Sequence, residues 1–188
     1  MIDNKNRCFG SNSQIYANYH DDEWGRPIYD DRVLFEFLVL EGAQAGLNWE
    51  TVLKKREGYR NAFYDSDPAK IANMSDDELE SLRFDSSIIR NKLKIYSARK
   101  NAQVFINIQK EFGSFSKFLW GFVDHKPIIN NWSSTALVPA TSVVSDKISK
   151  ELKSRGMSFV GSTIIYAYMQ ACGLVDDHAC DCWLKLGN

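Results

Sequence analysis

The stretch DDHACDC, residues 176–182, concentrates metal-binding residue types near the end of the chain. His178 and Cys182 are four residues apart, which is a usual spacing for two zinc ligands. A structural zinc site needs four ligands, and this stretch alone supplies them poorly. Taken by itself, it fits a polar segment with incidental thiols about as well as half of a metal site.

The other candidate ligands lie mostly near the start of the chain, where Cys8 and His20 precede the first long predicted helix. Cys172 follows apolar residues and is expected to be a buried core thiol, and His125 lies in a turn before Pro127 and should be exposed. The set that remains is Cys8, His20, His178 and Cys182, with Cys180 as a spare thiol that could replace Cys182. Two Cys and two His ligands form a closed tetrahedral shell, which is typical of structural zinc, and this site would tie the two ends of the chain together.

A carboxylate, Glu41, lies on the apolar face of a predicted helix. It follows Leu34, Phe37 and Leu38 by seven, four and three residues, and these intervals place all of them on one face. Glu36 falls on the other side, where an ordinary surface Glu would lie. Because an unpaired buried carboxylate is costly, Glu41 must pair with an Arg, cap a helix end or serve a ligand.

Aromatic residues lie close to this acid in the sequence. Trp49 begins the next predicted helix, and the stretch YANYHDDEWG contains Tyr16, Tyr19 and Trp24 around a histidine. Tyr16, Tyr19 and Glu23 can share one helix face. One buried acid among several amphipathic aromatic residues suits a flat polar ligand, including a cationic one.

Helix start and stop signals recur along the chain and predict an all-α fold. Asp30 and Asn48 can cap helices that end at Gly46 and Gly58, and SDDE at 75–78 is a capping box. Further helices are predicted from Pro68, over 91–111, from Ser114 or Ser116 to Val123, from Ser145 to Gly156, and over 160–173. No hairpin turn or alternating strand pair is predicted, and 125–143 is the one long irregular connection. Without an evident linker, residues 1–188 are expected to form a single domain.

Composition limits the classes of protein that this chain can belong to. Hydrophobic residues make up 44% of the chain, enough for a substantial core, but no run is long and apolar enough to predict a membrane span. The polar start MIDNKNRCFG does not resemble a signal peptide. Four cysteines without such a signal are typical of a cytoplasmic protein, in which clustered Cys and His bind metal more often than they form disulfides.

Charge is unevenly distributed, although the net charge of −1 does not by itself indicate nucleic-acid binding. Between Ser86 and Gln109 there are five basic and no acidic residues: Arg90, Lys92, Lys94, Arg99 and Lys100. Such a run is usually a solvated helix face. A patch that faces phosphates is the alternative.

Several segments together resemble the 3-methyladenine DNA glycosylase I family of bacterial helix-hairpin-helix repair enzymes. They cover nearly the whole chain: YHDDEWG (19–25), LFEFLVLEGAQAGLNWETVLKKRE (34–57), IIRNKLKI (88–95), FLWGFV (118–123), FVGSTIIYAYMQACGLVDDH (159–178) and Cys182. The resemblance implies a helix-hairpin-helix helical bundle that acts on alkylated double-stranded DNA in base-excision repair. It would hydrolyse the N-glycosidic bond of 3-methyladenine, release the free base and leave an abasic site, as a cytoplasmic monomer.

The resemblance also assigns roles to the candidate residues. The family's structural zinc ligands correspond to Cys8, His20, His178 and Cys182, which selects Cys182 over Cys180 and defines a zinc-binding subregion of about residues 1–24 and 174–188. The base pocket corresponds to Glu41, a stacking Trp49 and the tyrosines Tyr16 and Tyr19, with Trp24 nearby. Glu41 is the catalytic candidate, either as the base that activates water or as an electrostatic stabiliser of the electron-poor sugar.

The same resemblance implies a DNA-contacting hairpin at 85–92, in which Ser87, Arg90 and Lys92 would meet phosphates. The wider superfamily usually places glycines in this hairpin, but none occurs here between Gly58 and Gly113. Backbone N–H groups at the following helix start could still bind phosphate. No Asp stands shortly beyond the hairpin, an absence that the narrower family shares, and no Lys stands out as a Schiff-base nucleophile, so a monofunctional glycosylase is expected.

Two other functional classes fit parts of the sequence. A zinc-stabilised DNA-binding module would share the metal site and the basic run, but would not need Glu41 beside aromatic residues. A metal-dependent hydrolase built on HDDE and DDH would need an open zinc position, which four Cys and His ligands do not leave.

Overall fold

A computed structural model describes residues 5–186, and helices dominate this part of the chain. The helices are α1 Gln14–Asp22, α2 Asp31–Gln44, α3 Trp49–Leu53, α4 Arg56–Ala62, α5 Pro68–Ala72, α6 Asp76–Ser81, α7 Lys92–Phe112, α8 Phe115–Trp120, α9 Val143–Ser154, α10 Ser162–Ala171 and α11 Trp183–Leu186. Single 3₁₀ turns lie at Tyr64–Ser66, Leu82–Phe84, Gly121–Val123 and Thr135–Leu137. The prediction of a helical fold is confirmed. No helix in the described part is both long and apolar enough to cross a bilayer.

Local capping chemistry explains where most helices begin. The Asp30 carboxylate accepts hydrogen bonds from the backbone N–H groups of Arg32 and Val33 at the start of α2. Ser75 and Glu78 form the predicted reciprocal capping box of α6. Asn91 caps α7, and that helix ends at a left-handed Gly113, as predicted. These contacts satisfy backbone N–H groups that have no partner within the helix.

Three details of the predicted secondary structure are wrong. The helix expected to run from Asn48 to Gly58 is split into α3 and α4 by a break at Lys54 and Lys55. Helix α9 begins at a Ser142 cap, earlier than expected, because Ser145 is the N3 partner of that cap. A parallel pair of two-residue strands, β1 Ile128–Ile129 and β2 Val175–Asp176, also forms, and strands this short show no alternation in the sequence.

Helix α2 lies at the centre of the core and packs against α7, α8 and α10. Most of its apolar residues are almost completely buried, including Leu34, Phe35 and Phe37 at 1% exposure or less, while Val33 and Val39 are partly buried. Because α2 is covered on more than one side, the expectation of an exposed Glu36 is wrong. The Glu36 carboxylate is buried and accepts hydrogen bonds from Arg56 and Arg60, with Nε–Oε1 distances of 3.0 and 2.7 Å.

The turn between α6 and α7 is held against α4. Lys55 Nζ donates to the carbonyl of Ser86 at 2.6 Å, and the Ile89 N–H donates to the Tyr59 hydroxyl at 3.3 Å. A Cβ at Gly58 would collide with the backbone carbonyl of Ser87, so only glycine permits this approach. The sequence places no glycine in the turn itself, and its shape comes instead from these contacts with α4.

Candidate functional site

A cavity of about 250 Å³ opens between α1, α2, α3 and α10. All five residues that the sequence assigned to base binding line it: Tyr16, Tyr19, Trp24, Glu41 and Trp49. Four of them lie on the consecutive helices α1, α2 and α3, and Trp24 follows α1 directly. The cavity volume is of the size needed for one small, flat ligand.

Glu41 is the most unusual group in this cavity. It is only 3% exposed, and its Oε2 atom has no hydrogen-bond partner within residues 5–186. Burial raises the pKa of Glu41 from its ordinary value to about 8. Glu36, five residues earlier on the same helix, is the contrasting case: burial raises its pKa, but Arg56 and Arg60 more than offset this effect and leave the pKa below its ordinary value. Glu41 therefore has the properties of an acid whose hydrogen-bond donor or cationic partner would come from a bound ligand.

Trp49 contributes both an aromatic surface and a polar atom to the same cavity. Its side chain is 6% exposed, and its ring lies 5.5 Å from that of Tyr19, inclined at 56°. The indole Nε1 is buried and finds no acceptor in the described part of the chain. An unpaired donor and an unpaired carboxyl oxygen thus line one aromatic cavity, an arrangement suited to a flat ligand with polar edges.

Sequence reasoning missed several residues of the cavity wall, above all Phe9. Its ring lies 4.7 Å from Tyr16 and 5.0 Å from Trp24, the latter edge-on, and it completes the aromatic lining. Gln44, Thr135, Val138, Gln170 and Asp177 also line the cavity. Phe9 lies in an irregular segment without periodicity. Its position next to Cys8 was the only indication in the sequence that it could lie near the site.

Beside the cavity, Cys8, His20 and Cys182 form a compact cluster. Their ligand atoms all lie within 4.8 Å of one another, and the Cys182 Sγ is 3.5 Å from the His20 Nε2. The His20 Nδ1 bonds the Asp21 carboxylate at 2.9 Å, and its Nε2 faces the Cys182 thiol and accepts from the Cys8 backbone N–H at 3.3 Å. Cys182 is buried and Cys180 is exposed, in agreement with the choice of Cys182. Three of the four predicted ligands are therefore brought together in an arrangement that could hold a metal ion.

His178, the fourth predicted ligand, lies next to this cluster and outside its 4.8 Å limit. Its ring centroid is 5.2 Å from that of His20, and its Nδ1 bonds Asp176 at 2.7 Å. Its Nε2 is buried and unpartnered among the described residues. A ring oriented by a carboxylate, with its second nitrogen unused, is the arrangement expected of a metal ligand, so the residues present fit a Cys₂His₂ site.

The two ligand candidates that the sequence set aside lie as expected. Cys172 is fully buried in the core, and His125 is exposed.

The predicted DNA-contacting residues lie on the turn before α7 and on its first residue. Ser87 and Arg90 are exposed, and Arg90 makes no hydrogen bond or ion pair within residues 5–186. Lys92 is also exposed but forms an ion pair with Glu80 at 2.8 Å. Lys94 donates to the carbonyls of Ala43 and Ala45 and closes the end of α2. The basic run is therefore not one uniform patch, and Arg90 is its most available cation near the turn.

Comparisons with known proteins agree with this arrangement. A model of the family described as methyladenine glycosylase matches residues 9–185. The chain is 49% identical over 171 residues to the DNA-3-methyladenine glycosylase of Haemophilus influenzae, with 91% of this chain and 92% of the relative covered. It is 45% identical to DNA-3-methyladenine glycosylase 1 of Escherichia coli strain K12, with 97% and 98% covered.

A solved structure gives the same result. The chain superposes with a TM-score of 0.92 on 3-methyladenine DNA glycosylase I from Staphylococcus aureus, determined to explain 3-methyladenine recognition, at 38% identity and with 95% of each chain covered. The sequence match and the structural match both extend over nearly all of the chain. The protein therefore belongs to the methyladenine glycosylase family.

Proposed function

We propose that this protein is a DNA-3-methyladenine glycosylase of base-excision repair. It hydrolyses the N-glycosidic bond of 3-methyladenine in alkylated double-stranded DNA, releases the free base and leaves an abasic site. The observation that carries this proposal is Glu41, a buried acid whose Oε2 atom has no hydrogen-bond partner within residues 5–186, in a cavity of aromatic residues. The names of the relatives support the same activity.

Hydrolysis of this glycosidic bond needs little help from a general acid. Methylation at N3 gives the adenine of a nucleotide a positive charge, and the base then leaves neutral, so the glycosidic bond is already weak. The protein's task is to take the nucleotide out of the duplex, exclude normal bases and place water near the sugar. An aromatic cavity that favours a cation can receive the base once it has left the duplex and can discriminate against normal bases, which are neutral.

The cavity residues divide these roles. Trp49 stacks on the cationic ring, an interaction worth about 0.5–2 kcal/mol, and Tyr16 and Tyr19 supply shape and hydroxyl contacts. Glu41 accepts hydrogen bonds from the base. Because its pKa is about 8 in the free protein, a cation that enters the cavity favours the ionised carboxylate and expels its proton. The same carboxylate either activates the attacking water or stabilises the electron-poor sugar. Trp24, packed against Phe9, supports this aromatic wall.

The proposed cofactor is one structural zinc ion per chain, bound by Cys8, His20, His178 and Cys182. A shell of four Cys and His ligands leaves no open position, so the metal supplies a cross-link and takes no part in the chemistry. It would join residues 1–24 to residues 174–188 within a single domain. Residues 1–4, 187 and 188 of this subregion lie outside the described part of the chain.

DNA contact is proposed at the turn 85–92, with α6 and α7 as the two helices of a helix-hairpin-helix unit. Arg90→Ala should weaken binding to every DNA sequence and reduce the slope of log affinity against log salt by about one. Lys92→Ala should have a smaller effect, because Glu80 already pairs with this lysine. Lys150→Ala, which removes an exposed charge on α9, is the control. An unchanged slope for Arg90→Ala would place the DNA on a different face.

The activity itself is tested by release of free 3-methyladenine from alkylated duplex DNA, measured with and without a chelator. We expect the wild-type chain to release the free base. We also propose that it acts as a monomer on chromosomal DNA in the cytoplasm. Salt-dependent DNA binding without base release would support a zinc-stabilised DNA-binding module instead. Cleavage of another bond that depends directly on added metal would support the hydrolase alternative.

A further inference from the structure

A second cavity, of about 380 Å³, adjoins the aromatic cavity described above. The two cavities share three wall residues, Glu41, Gln44 and Ala167. The turn after α2 and the first turn of α10 form the rest of the adjoining cavity: Ala45, Gly46, Leu47, Thr163 and Ile164. Glu41 therefore lies where the two cavities meet, and its buried Oε2 has no hydrogen-bond partner within residues 5–186.

The start of α10, a helix of ten residues, supplies backbone donors to the adjoining cavity. Its N-cap is Gly161, which has no side chain to accept from the helix. The N–H of Ile165 donates to the Gly161 carbonyl at 2.9 Å, but those of Ser162, Thr163 and Ile164 find no acceptor within residues 5–186. Unpaired N–H groups at the positive end of a helix dipole are well suited to bind a phosphate.

Lys94 brings a positive charge to the same place. Its Nζ donates to the carbonyls of Ala43 and Ala45, both at 2.7 Å, and no acidic side chain within residues 5–186 pairs with it. Lys94 lies in the first turn of α7, so the turn 85–92 and the adjoining cavity lie at the same end of α2. Burial raises the pKa of Glu41 to about 8, so this acid is mostly uncharged at neutral pH and does not repel an anion there.

The dimensions of the adjoining cavity suit the backbone part of one nucleotide. Ala167, where the cavities meet, lies four residues after Thr163, which is about 6 Å along the helix axis. The phosphate of a nucleotide lies at a comparable distance from the sugar carbon that carries the base. Gly46, Leu47 and Thr163 are exposed, so a DNA strand can enter and leave the adjoining cavity.

We propose that the adjoining cavity is the subsite for the deoxyribose and one flanking phosphate of the target nucleotide, and that the N–H groups at the start of α10 bind this phosphate. This proposal rests on the proposed function and adds a second DNA contact to the turn 85–92. It places Glu41 beside the glycosidic bond, between the base in one cavity and the sugar in the other. The free base fills only the first cavity, so the subsite matters for DNA and not for free 3-methyladenine.

Duplex DNA containing a tetrahydrofuran analogue of the abasic sugar tests the phosphate contact. The phosphate on the 5′ or on the 3′ side of the analogue is replaced by a neutral methylphosphonate, and a methylphosphonate at the end of the same duplex is the control. We expect one of the two flanking replacements to weaken wild-type binding by about tenfold, and the control replacement to have much less effect.

Thr163→Glu should remove this preference for a charged flanking phosphate. The new carboxylate lies at the unpaired N–H groups, where the helix dipole favours it, so the fold should be retained. Thr163→Gln has the same size without the charge and should keep the preference. Arg90→Ala acts at the turn 85–92 and should weaken binding to both duplexes by the same factor. Free 3-methyladenine should bind Thr163→Glu and the wild type alike.

A second pair of variants decides the matter if Thr163→Glu does not fold. Ser162→Pro and Ser162→Ala both lose the hydroxyl that bonds Ser145, but only the proline variant also loses a backbone N–H. Proline is well tolerated at this first helical position, and Gly161, at φ −63° and ψ 156°, has the conformation that a following proline requires. Ser162→Pro should lose part of the preference, and Ser162→Ala should keep it.

The inference is overturned if neither flanking methylphosphonate weakens binding more than the control does. It is also overturned if the preference survives in a folded Thr163→Glu or in Ser162→Pro, if Thr163→Gln loses it equally, or if Thr163→Glu weakens binding of free 3-methyladenine as much as binding of DNA. With any of these results, a wild type that releases 3-methyladenine leaves the proposed function standing. A preference that depends on Thr163 in a protein that releases no 3-methyladenine has the opposite meaning: the phosphate subsite holds and the proposed function fails.

Discussion

Glu41→Gln is expected to slow release of 3-methyladenine from alkylated duplex DNA by about 100-fold or more while leaving the fold at least as stable as the wild type. The amide keeps the size of the side chain but removes the charge that the cationic base would meet. A 100-fold loss corresponds to about 3 kcal/mol, a reasonable value for the interaction of one cation with a buried carboxylate. Single-turnover kinetics on alkylated DNA measure this loss.

The stability effect of Glu41→Gln should depend on pH with a defined sign. Below the ordinary pKa of 4.5 the acid is protonated in both the folded and the unfolded chain, so the two proteins should differ little. Between pH 4.5 and about 8 only the folded state keeps the proton, so wild-type stability falls as the pH rises. The advantage of the Gln variant should therefore grow to a few kcal/mol by about pH 8. Urea unfolding at pH 5 and pH 8 measures it.

Glu36→Gln is the matched control on the same helix. Its carboxylate pairs with Arg56 and Arg60, and its pKa lies below the ordinary value, so its stabilising effect is present above that value and is lost at acid pH. Glu36→Gln should therefore destabilise the protein at neutral pH, opposite to Glu41→Gln. If Glu41→Gln also unfolds the protein, or releases base at the wild-type rate, Glu41 is a structural acid and the site assignment fails.

The two glutamates of α2 also illustrate what a sequence pattern can predict. Helical periodicity correctly placed Glu41 on a buried face, because that pattern depends only on residues three and four apart. It misplaced Glu36, because the burial of the opposite face depends on α4, whose Arg56 and Arg60 are about twenty residues away in the sequence. Caps such as Asp30, Ser75 and Asn91 were predictable for the same reason as Glu41: their partners are two or three residues away.

The cavity was predictable to a similar extent. Tyr16, Tyr19, Trp24 and Trp49 could be identified because each lies in a helix or beside one, and because their segments resemble a known family. Phe9 lies in an irregular segment and Thr135 begins a single 3₁₀ turn, and neither is long enough for periodicity to indicate which way a side chain points. Asp177 was grouped with its neighbour His178 as part of a metal motif, and only the fold shows it fastened to α10 and to the connection 125–143.

Cys182→Ser is expected to have the largest effect on stability and Cys180→Ser almost none. Cys182 is buried within the cluster and Cys180 is exposed, although the two lie only two residues apart in the same segment. If the proposed zinc joins the two ends of the chain, loss of one ligand should lower the free energy of unfolding by more than about 2 kcal/mol. Elemental analysis should give one zinc per wild-type chain, one for Cys180→Ser and much less for Cys182→Ser.

Chelation separates metal loss from simple loss of packing. A chelator should lower the melting temperature of the wild type and of Cys180→Ser, and should change Cys182→Ser little, because that variant has already lost the metal. The same treatment should weaken base binding, since Cys8 and Phe9 lie on the cavity wall and the metal would hold their segment in place. A wild-type protein that is free of metal, fully folded and active would rule out the zinc site, and equal effects of the two substitutions would mean that Cys182 is not a ligand.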